Sequence, residues 1–233
     1  MSNVKLISLT QGSGEFKKKS AEDIIVYTAR VSSPREDKFA DASKLLAYCI
    51  RNGHWSIFET ASMTVEITTS MPISKQLLRH RSFTFQEFSA RYSDSTQHEE
   101  LFQPIELRKQ AKTNRQSSEE VFDPQIEIYD YFGGLVPGCS HKASELIKGL
   151  LNQSKELYQL LLDLDVSKEC ARFVLPQATT TKMYMTGNVR SWIHFLQSRD
   201  SEHAQKEIQL IAKEIKFIFI HQFPNISKSL NYI

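Results

Sequence analysis

The sequence predicts an α+β fold, because helices and strands follow one another without the regular strand–helix–strand alternation of a parallel sheet. Met63, Val65 and Ile67 alternate with polar residues, which indicates a half-buried strand. Leucines recur at helical spacing between about 143 and 164, which indicates a long amphipathic helix. The 233 residues are 40% hydrophobic and 24% charged, which is ordinary for a globular chain with a core of its own. The composition excludes fibrous and wholly disordered proteins.

The first third of the chain is predicted to contain two strands and three helices. Residues 4–9 form a short apolar run that is typical of a strand. Ser20, followed three residues later by Asp23, is a helix N-cap, and Gly53 ends the second helix. The alternating strand comes next, and Pro72 opens a third helix. The three predicted helices cover about 20–31, 41–52 and 72–81.

The rest of the chain gives a less regular pattern. Residues 94–125 are polar and rich in turn formers, and the segment 133–141 is predicted to be a loop. A long helix at about 143–164, a strand at 179–185 and two helices at about 189–197 and 201–222 complete the prediction. The sequence contains no repeat and no obvious interdomain linker.

Charge and cysteine content limit the classes of function. Lys and Arg total 29 and Asp and Glu 27, which leaves a net charge of +2, less than a dedicated duplex-DNA binder usually carries. Cys49, Cys139 and Cys170 are far apart, so neither a zinc ribbon nor a disulfide framework is predicted. No signal peptide and no membrane-spanning run is found. We therefore expect a cytoplasmic protein that is not associated with a membrane.

The densest group of reactive side chains is an arginine-rich segment. Arg79, His80 and Arg81 are adjacent, and Arg91 follows ten residues after Arg81 among phenylalanines. An arginine beside apolar residues requires an anionic or accepting partner, yet Glu87 is the one carboxylate nearby. A ligand phosphate would suit the guanidinium groups. The alternative is a solvated helix end whose arginine stems cover apolar neighbours.

The first of the two C-terminal helices carries a second group. Val189 begins a core stripe, whereas Arg190 and His194 share another face on which they can approach an anion together. Arg199 and His203 repeat that spacing. A metal site built from the histidines and glutamates of this segment is conceivable, but no recognised ligand spacing is present. We expect no metal.

His54 and Cys170 lie outside these two groups. His54 follows the helix-ending Gly53, a position that suits either general acid–base catalysis or helix capping, and the residue pattern alone leaves both open. Cys170, next to Ala171 and Arg172 in a predicted helix, is expected to be buried and inert.

Taken together, these segments resemble the flavin-dependent thymidylate synthases. That family is marked by Arg-His-Arg, seven residues and then Ser, and here Arg79-His80-Arg81 is followed by Ser89 at that spacing. Four further matches occur in the family's order: ARVS at 29–32, GHWSIFE at 53–59, ARFVLP at 171–176, and the polar series from Asn188 to His203. Residues 94–165 match poorly and include an expected insertion near 133–145.

The resemblance implies a single domain, residues 1–233, with an antiparallel or mixed sheet flanked by helices. It implies a homotetramer whose active sites lie between subunits, each with non-covalent FAD and dUMP. The implied reaction methylates dUMP to dTMP, with 5,10-methylenetetrahydrofolate as carbon donor and NADPH as reductant.

The resemblance also assigns residues by position. The expected FAD contacts are Ser56, Arg79, His80, Arg81, Glu87, Asn188, Val189, Arg190 and His194. The expected dUMP contacts are Gln76, Leu77, Leu78, Arg79, Glu87, Phe88, Ser89, Ala90, Arg91, Arg172 and Arg199. Arg199, at the uracil carbonyl, and His54, near flavin and folate, are the expected catalytic residues. Ser89 is assigned to binding, because no base that would activate it is evident.

Two alternatives remain open at this point. An RNA- or nucleotide-binding module would use the arginines with Phe83, Phe85 and Tyr92 as stacking surfaces. A degenerate family member would keep the fold and the oligomer without catalysis. The retained arginines, among them Arg91 and Arg172, argue against the second alternative.

Overall fold

The computed structural model describes residues 3–34, 36–114, 117–129 and 134–233, and the elements below lie in these ranges. The strands are β1 (Val4–Leu9), β2 (Ser62–Ser70), β3 (Thr84–Glu87), β4 (Arg108–Gln110), β5 (Ser118–Val121), β6 (Gln125–Tyr129), β7 (Leu135–Lys142) and β8 (Thr180–Asn188). The helices are α1 (Ala21–Ala29), α2 (Ala42–Arg51), α3 (Met71–Leu77), α4 (Ala143–Asp163), α5 (Lys168–Ala171), α6 (Val189–Arg199), α7 (Lys206–Gln222) and α8 (Pro224–Ser229). The predicted α+β class is confirmed.

The chain divides into two compact units. The first unit contains the described residues up to Thr68, together with Lys75–Glu87 and Lys182–Ile233. The second unit contains Thr69–Ser74 and Phe88–Thr181.

A four-stranded sheet has the strand order β1-β2-β8-β3. β1 runs antiparallel to β2 with Val4 opposite Ile67, and β3 runs antiparallel to β8 with Thr84 opposite Thr186. Burial alternates strictly along β2, because successive side chains point to opposite faces of a strand. The alternation that predicted this strand is therefore confirmed.

The core of the first unit is aromatic. Trp192 of α6 is fully buried, and its Nε1 donates to the carbonyls of Met63, at 3.0 Å, and Gly187, at 3.1 Å. The ring of Phe83 lies 4.6 Å from that of Trp192. A Cβ atom at Gly187 would stand 2.4 Å from the Phe83 ring, so only glycine allows this approach of strand and ring. The packing fixes the turn that carries the arginine-rich segment.

Several element boundaries differ from the prediction. The Ser20 cap is confirmed, with reciprocal hydrogen bonds to Asp23. α3 ends at Leu77 rather than at 81, because the chain turns there with the His80 N–H bound to the Leu77 carbonyl. α7 begins at Lys206 rather than at 201, and α8 was not predicted.

The second unit contains the long helix α4 and two hairpins. Tyr158 of α4 is fully buried, and its hydroxyl accepts a hydrogen bond from the Ser95 N–H at 3.2 Å. Residues 94–125 were expected to be turns, but β4 and β5 pair within them. The loop predicted at 133–141 was wrong for its described residues, since β7 pairs antiparallel with β6, with Gln125 opposite Lys142. Gly133 lies outside the described residues.

Candidate functional site

The arginine-rich segment begins where α3 ends in the first unit. Leu77 is buried as the last residue of the helix, whereas Leu78, Arg79 and Arg81 are exposed. Neither arginine forms an ion pair or a side-chain hydrogen bond with any described residue. Two permanent positive charges therefore face solvent without a carboxylate to neutralise them.

His80, between these arginines, contacts the end of α6. The Nε–H of Arg199 donates to Nε2 of His80 at 2.9 Å, and the His80 ring stacks edge-on against Phe195 at 5.0 Å between centroids. Burial, followed by the positive charge of Arg199, lowers the pKa of His80 below its usual 6.5. An arginine can only donate, so the bonded nitrogen of His80 must be unprotonated. His80 is therefore the neutral acceptor that positions Arg199.

The N-terminal end of α6 contributes further predicted residues. The Asn188 side chain caps the helix by accepting from the Ser191 N–H at 2.8 Å. The Val189 side chain is buried in the core, and its N–H donates to the Ala61 carbonyl at 3.0 Å. Arg190 pairs with the Glu59 carboxylate. Arg199 therefore bonds to His80, whereas Arg190, at the other end of α6, pairs with Glu59.

The loop after α2 lies against α6 through one aromatic contact. Trp55 packs edge-on against His194, with 4.9 Å between ring centroids, and His194 is otherwise exposed. His54 and Ser56 are also exposed. His54 lies beside Tyr48 at 5.7 Å and makes no side-chain cap hydrogen bond. His54 caps the end of α2 through its backbone instead, since its N–H donates to the Cys49 carbonyl at 2.8 Å.

Two residues that are expected to contact the nucleotide, Gln76 and Glu87, also lie in the first unit. The Gln76 amide donates to the Gln205 side chain at 2.6 Å. Glu87 ends β3, half-buried, opposite Met183 of β8. Glu87 is also the last residue of the first unit before the chain enters the second.

In the second unit, Glu169 contacts two arginines that are expected to bind dUMP, Arg91 and Arg172. The Nε–H of Arg91 donates to the Glu169 carboxylate at 3.0 Å, with the two side chains 59% and 50% exposed. The Nε–H of Arg172 donates to the Glu169 backbone carbonyl at 3.3 Å. Arg91 and Arg172, 81 positions apart in sequence, therefore meet at the same short helix, α5. The terminal guanidinium nitrogens of both arginines form no hydrogen bond with a described residue.

The residues between Phe88 and Arg91 form the turn that leads into this cluster. Phe88 packs against His98 with 4.5 Å between ring centroids. The Ser89 carbonyl accepts from the N–H groups of Tyr92 and Ser93, and Ala90 is half-buried. No carboxylate or histidine contacts the Ser89 hydroxyl among the described residues, which agrees with a binding role.

Sequence reasoning missed the acidic partners and misjudged one cysteine. Glu169 carries no local signal, because its partner Arg91 lies 78 residues away. Glu59 was visible in the loop after α2, but its pairing with Arg190 spans 131 residues. Cys170 is exposed on α5, so the expectation of a buried cysteine was wrong. α5 has only four residues, and three of them are exposed.

In the described ranges, every helix is too short or too polar to span a membrane. No group of three or more His, Cys, Asp or Glu side chains among the same residues is arranged to hold a metal ion.

Comparison with known proteins identifies the family. The family model described as thymidylate synthase complementing protein matches residues 15–225. The chain is 43% identical over 232 residues to a probable flavin-dependent thymidylate synthase of Paramecium bursaria Chlorella virus 1, covering 99% of this chain and 100% of the relative. It is 41% identical, with the same coverage, to a flavin-dependent thymidylate synthase of a Synechocystis species.

A solved structure is also similar. The UMP/dUMP methylase PolB from Streptomyces cacaoi, crystallised with 5-Br dUMP, is 26% identical and superposes with a TM-score of 0.71. The superposition covers 99% of this chain and 94% of that one. The sequence resemblance drawn from the Arg-His-Arg segment is thus confirmed over the whole length, and the chain belongs to the family of flavin-dependent thymidylate synthases.

Proposed function

We propose that this chain is an enzyme that methylates dUMP to dTMP, with FAD as bound cofactor, methylenetetrahydrofolate as carbon donor and NADPH as reductant. The observation that carries the proposal is the hydrogen bond from Arg199 to neutral His80. It joins the Arg-His-Arg segment to the predicted catalytic arginine across 119 residues. We further propose a cytoplasmic homotetramer with active sites between subunits.

The groups of the first unit suit a dinucleotide with a negatively charged pyrophosphate. Arg79 and Arg81 are exposed cations without a protein anion among the described residues, and guanidinium groups bind phosphate oxygens in pairs. Trp55 and His194, in the same unit, offer an aromatic edge. The flavin, when bound, would accept and deliver the reducing equivalents that no side chain can carry. The protein residues would bind it and orient it.

Arg91 and Arg172 suit the dUMP phosphate. Glu169 holds both side chains through their Nε atoms, so the terminal nitrogens remain for a ligand. Each charge-assisted hydrogen bond contributes about 1.5–3 kcal/mol to binding. Loss of either arginine should therefore weaken dUMP binding more than flavin binding.

Arg199 would act on the uracil ring. Its Nε–H is occupied by His80, whereas its terminal nitrogens make no hydrogen bond within the described residues. A guanidinium donor at a uracil carbonyl stabilises negative charge on the ring, which makes C5 a better nucleophile. Donors positioned at a developing charge supply roughly 3–4 kcal/mol in other enzymes.

The nucleic-acid alternative is weakened by the placement of its stacking residues. Phe83 is only 7% exposed and packs against Trp192, so it cannot stack on a base. Phe85 is half-buried beside Phe83, so Tyr92, which is 75% exposed, is the one fully exposed ring of the three. A stacking platform requires several accessible aromatic rings.

The first test is the visible absorption spectrum of the purified protein, recorded as isolated and again after FAD addition and desalting. A retained flavin spectrum, followed by dTMP formation from dUMP, is the expected result. A folded protein that retains no flavin would contradict the proposal. Retained flavin without dTMP formation would instead identify the degenerate family member.

The flavin site is tested by Arg81→Ala, with Arg51→Ala as the matched control. Both arginines are exposed, but Arg51 lies on α2, outside the proposed site. Flavin content should fall severalfold in Arg81→Ala, because a cation facing the pyrophosphate is lost, and should be unchanged in Arg51→Ala. Full occupancy in Arg81→Ala would remove this residue from the flavin site.

The role of Arg199 is tested by Arg199→Ala. The variant should bind flavin yet lose at least about a hundredfold of its dTMP turnover, as expected when one oxyanion-type donor is removed. Normal turnover would exclude Arg199 from the mechanism. The flavin spectrum of the same sample controls for folding.

A further inference from the structure

The long helix α4 of the second unit exposes a continuous row of large side chains, here called the α4 row. The row consists of Leu146, Leu150, Gln153, Leu157, Leu160 and Leu164. Four of its leucines are between 45% and 67% exposed. Its members are separated by steps of three and four residues, so they lie on one face of the helix. Soluble monomers rarely expose a contiguous apolar surface of this kind without a partner.

The α4 row is not the face by which the helix packs on its own unit. Tyr158 is fully buried and bonds to the Ser95 N–H, and the Ser154 hydroxyl donates to the Val174 carbonyl at 2.6 Å. These two residues lie on the neighbouring face. The helix therefore packs on the described residues by one face and leaves the α4 row exposed on another.

The row has the spacing of a coiled-coil seam, and it is nearly palindromic. Counted from Gln153, leucines occur three and seven residues before it and four and seven residues after it. Such a row matches itself when a second copy lies antiparallel across a two-fold axis. We propose that two copies of this chain pair through α4 in antiparallel orientation, with Gln153 of each copy at the axis.

Gln153 and Gly149 fit this arrangement. The Gln153 amide makes no hydrogen bond within the described residues, and two amides facing each other across an axis can exchange donor and acceptor. A Cβ atom at Gly149 would meet no other atom of the chain within 4 Å, although glycine destabilises a helix interior. In the proposed register Gly149 lies opposite Leu157 of the second copy and leaves room for its side chain.

Charge favours antiparallel over parallel pairing. Lys142 stands at the N-terminal end of α4 and Asp163 at its C-terminal end, both flanking the row and both exposed. Antiparallel copies bring Lys142 of one beside Asp163 of the other, at both ends of the pair. Parallel copies would set Lys142 against Ile147 instead, with no compensating charge. The inference goes beyond the proposed homotetramer, because it names the face and the direction of the contact.

The first experiment measures the mass of the Leu157→Glu variant in solution by light scattering. Burying a charge in the seam should lower the mass by about half, as the two-fold contact is lost. Leu210→Glu is the matched control. Leu210 is also about half exposed, at 50%, but it lies on α7 of the first unit. The mass of this variant should equal that of the wild-type protein. An unchanged mass in Leu157→Glu, or a monomeric wild-type protein, would overturn the proposal.

A second experiment does not depend on how Leu157→Glu folds. Gln153→Cys should form a disulfide between copies on oxidation with diamide, because residues at a two-fold helix contact bring their Cβ atoms close together. Gln159→Cys, on another face of the same helix, should cross-link no more than the wild-type protein with its native cysteines. Equal cross-linking of the two variants would contradict an axis at Gln153.

Different results would contradict the proposed function and the pairing through α4. A wild-type protein that pairs through α4 but binds no flavin would contradict the proposed function alone. A flavin-containing enzyme whose Leu157→Glu variant keeps the wild-type mass would contradict only the pairing through α4.

Discussion

Arg199 is positioned by an uncharged acceptor, which keeps its own charge available for a ligand. A carboxylate partner would neutralise the guanidinium group, whereas neutral His80 Nε2 only orients it. The arrangement depends on His80 staying unprotonated. Burial and the nearby Arg199 both lower the pKa of His80, so the site itself favours the required state.

The lowered pKa has a consequence for stability. The folded protein binds a proton at His80 less readily than the unfolded chain, whose histidine titrates near 6.5. The contribution of the His80–Arg199 contact is therefore complete above pH 6.5 and is lost progressively as the pH falls below that value. Protonated His80 would also repel Arg199.

This prediction is tested by an NMR titration of the His80 ring. The wild-type pKa should lie below 6.5, and Arg199→Ala should raise it, because the variant removes a positive charge and a donor to the neutral ring. Arg51→Ala, which removes an exposed arginine that is not among the causes of the lowered pKa of His80, should leave it unchanged. A wild-type pKa at or above 6.5 would contradict the assignment of His80 as a neutral acceptor.

At the scale of elements, Asn188 links the sheet to the helix that carries the site. It ends β8 and caps α6 through the Ser191 N–H. The cap fixes the start of the helix whose last residue is Arg199. Asn188 is also one of the proposed flavin contacts, so its two roles need to be separated.

Two substitutions separate these roles. Asn188→Ala should lower the free energy of unfolding by about 1 kcal/mol, whereas Asn188→Ser, which keeps a capping oxygen, should restore most of it. Urea denaturation monitored by circular dichroism measures this difference. If Asn188 also contacts FAD, flavin affinity should fall in both variants. Equal stability of Asn188→Ala and the wild-type protein would show that the cap contributes nothing.

At the scale of the whole chain, the first unit is closed by contacts between its beginning and its end. The Glu214 carboxylate accepts hydrogen bonds from the N–H groups of Asn3, at 2.9 Å, and Val4, at 3.1 Å. The buried Glu22 of α1 accepts from the Asn225 side chain and the Ile226 N–H, each at 2.8 Å. These bonds connect residues 203 to 211 positions apart, so they form only when the chain is folded.

Tyr232, which follows α8, packs its ring against Phe219 of α7 with 6.4 Å between centroids. Its buried hydroxyl has no hydrogen-bond partner among the described residues, and burial, followed by the charge of Asp200, raises its pKa to about 12. The ring lies 4.5 Å from the Lys216 ammonium. The folded state favours the neutral phenol, so stability is present below pH 10 and is lost as the pH rises toward 12.

Tyr232→Phe should therefore be at least as stable as the wild-type protein at neutral pH, because an unsatisfied buried hydroxyl is removed. At about pH 11 it should retain more of its stability than the wild-type protein does. Thermal unfolding at both pH values measures this. Tyr92→Phe, at a residue that is 75% exposed, is the control and should lose stability as the wild-type protein does. A destabilised Tyr232→Phe at neutral pH would show that the hydroxyl is bonded.

The sequence by itself determined the α+β class, the family and most regular elements. β2 and α4 were predicted within one or two residues of most of their ends, because burial imposes a period of two on a strand and about 3.6 on a helix. The Ser20 cap and the turn at Gly53 were also readable, since each depends on neighbours a few residues away. The Arg-His-Arg segment and four further matches in the same order indicated the family.

Only the tertiary structure decided which of these residues meet. Arg199 and His80 are 119 residues apart, and Arg91 and Glu169 are 78 apart, so no local pattern announces either contact. β7 looked like a loop because its glycine, proline and serine content outweighs its hydrophobicity, and pairing with β6 is what makes it a strand. Local propensity sets what a segment can form, whereas partners distant in sequence decide what it forms and what its side chains can bind.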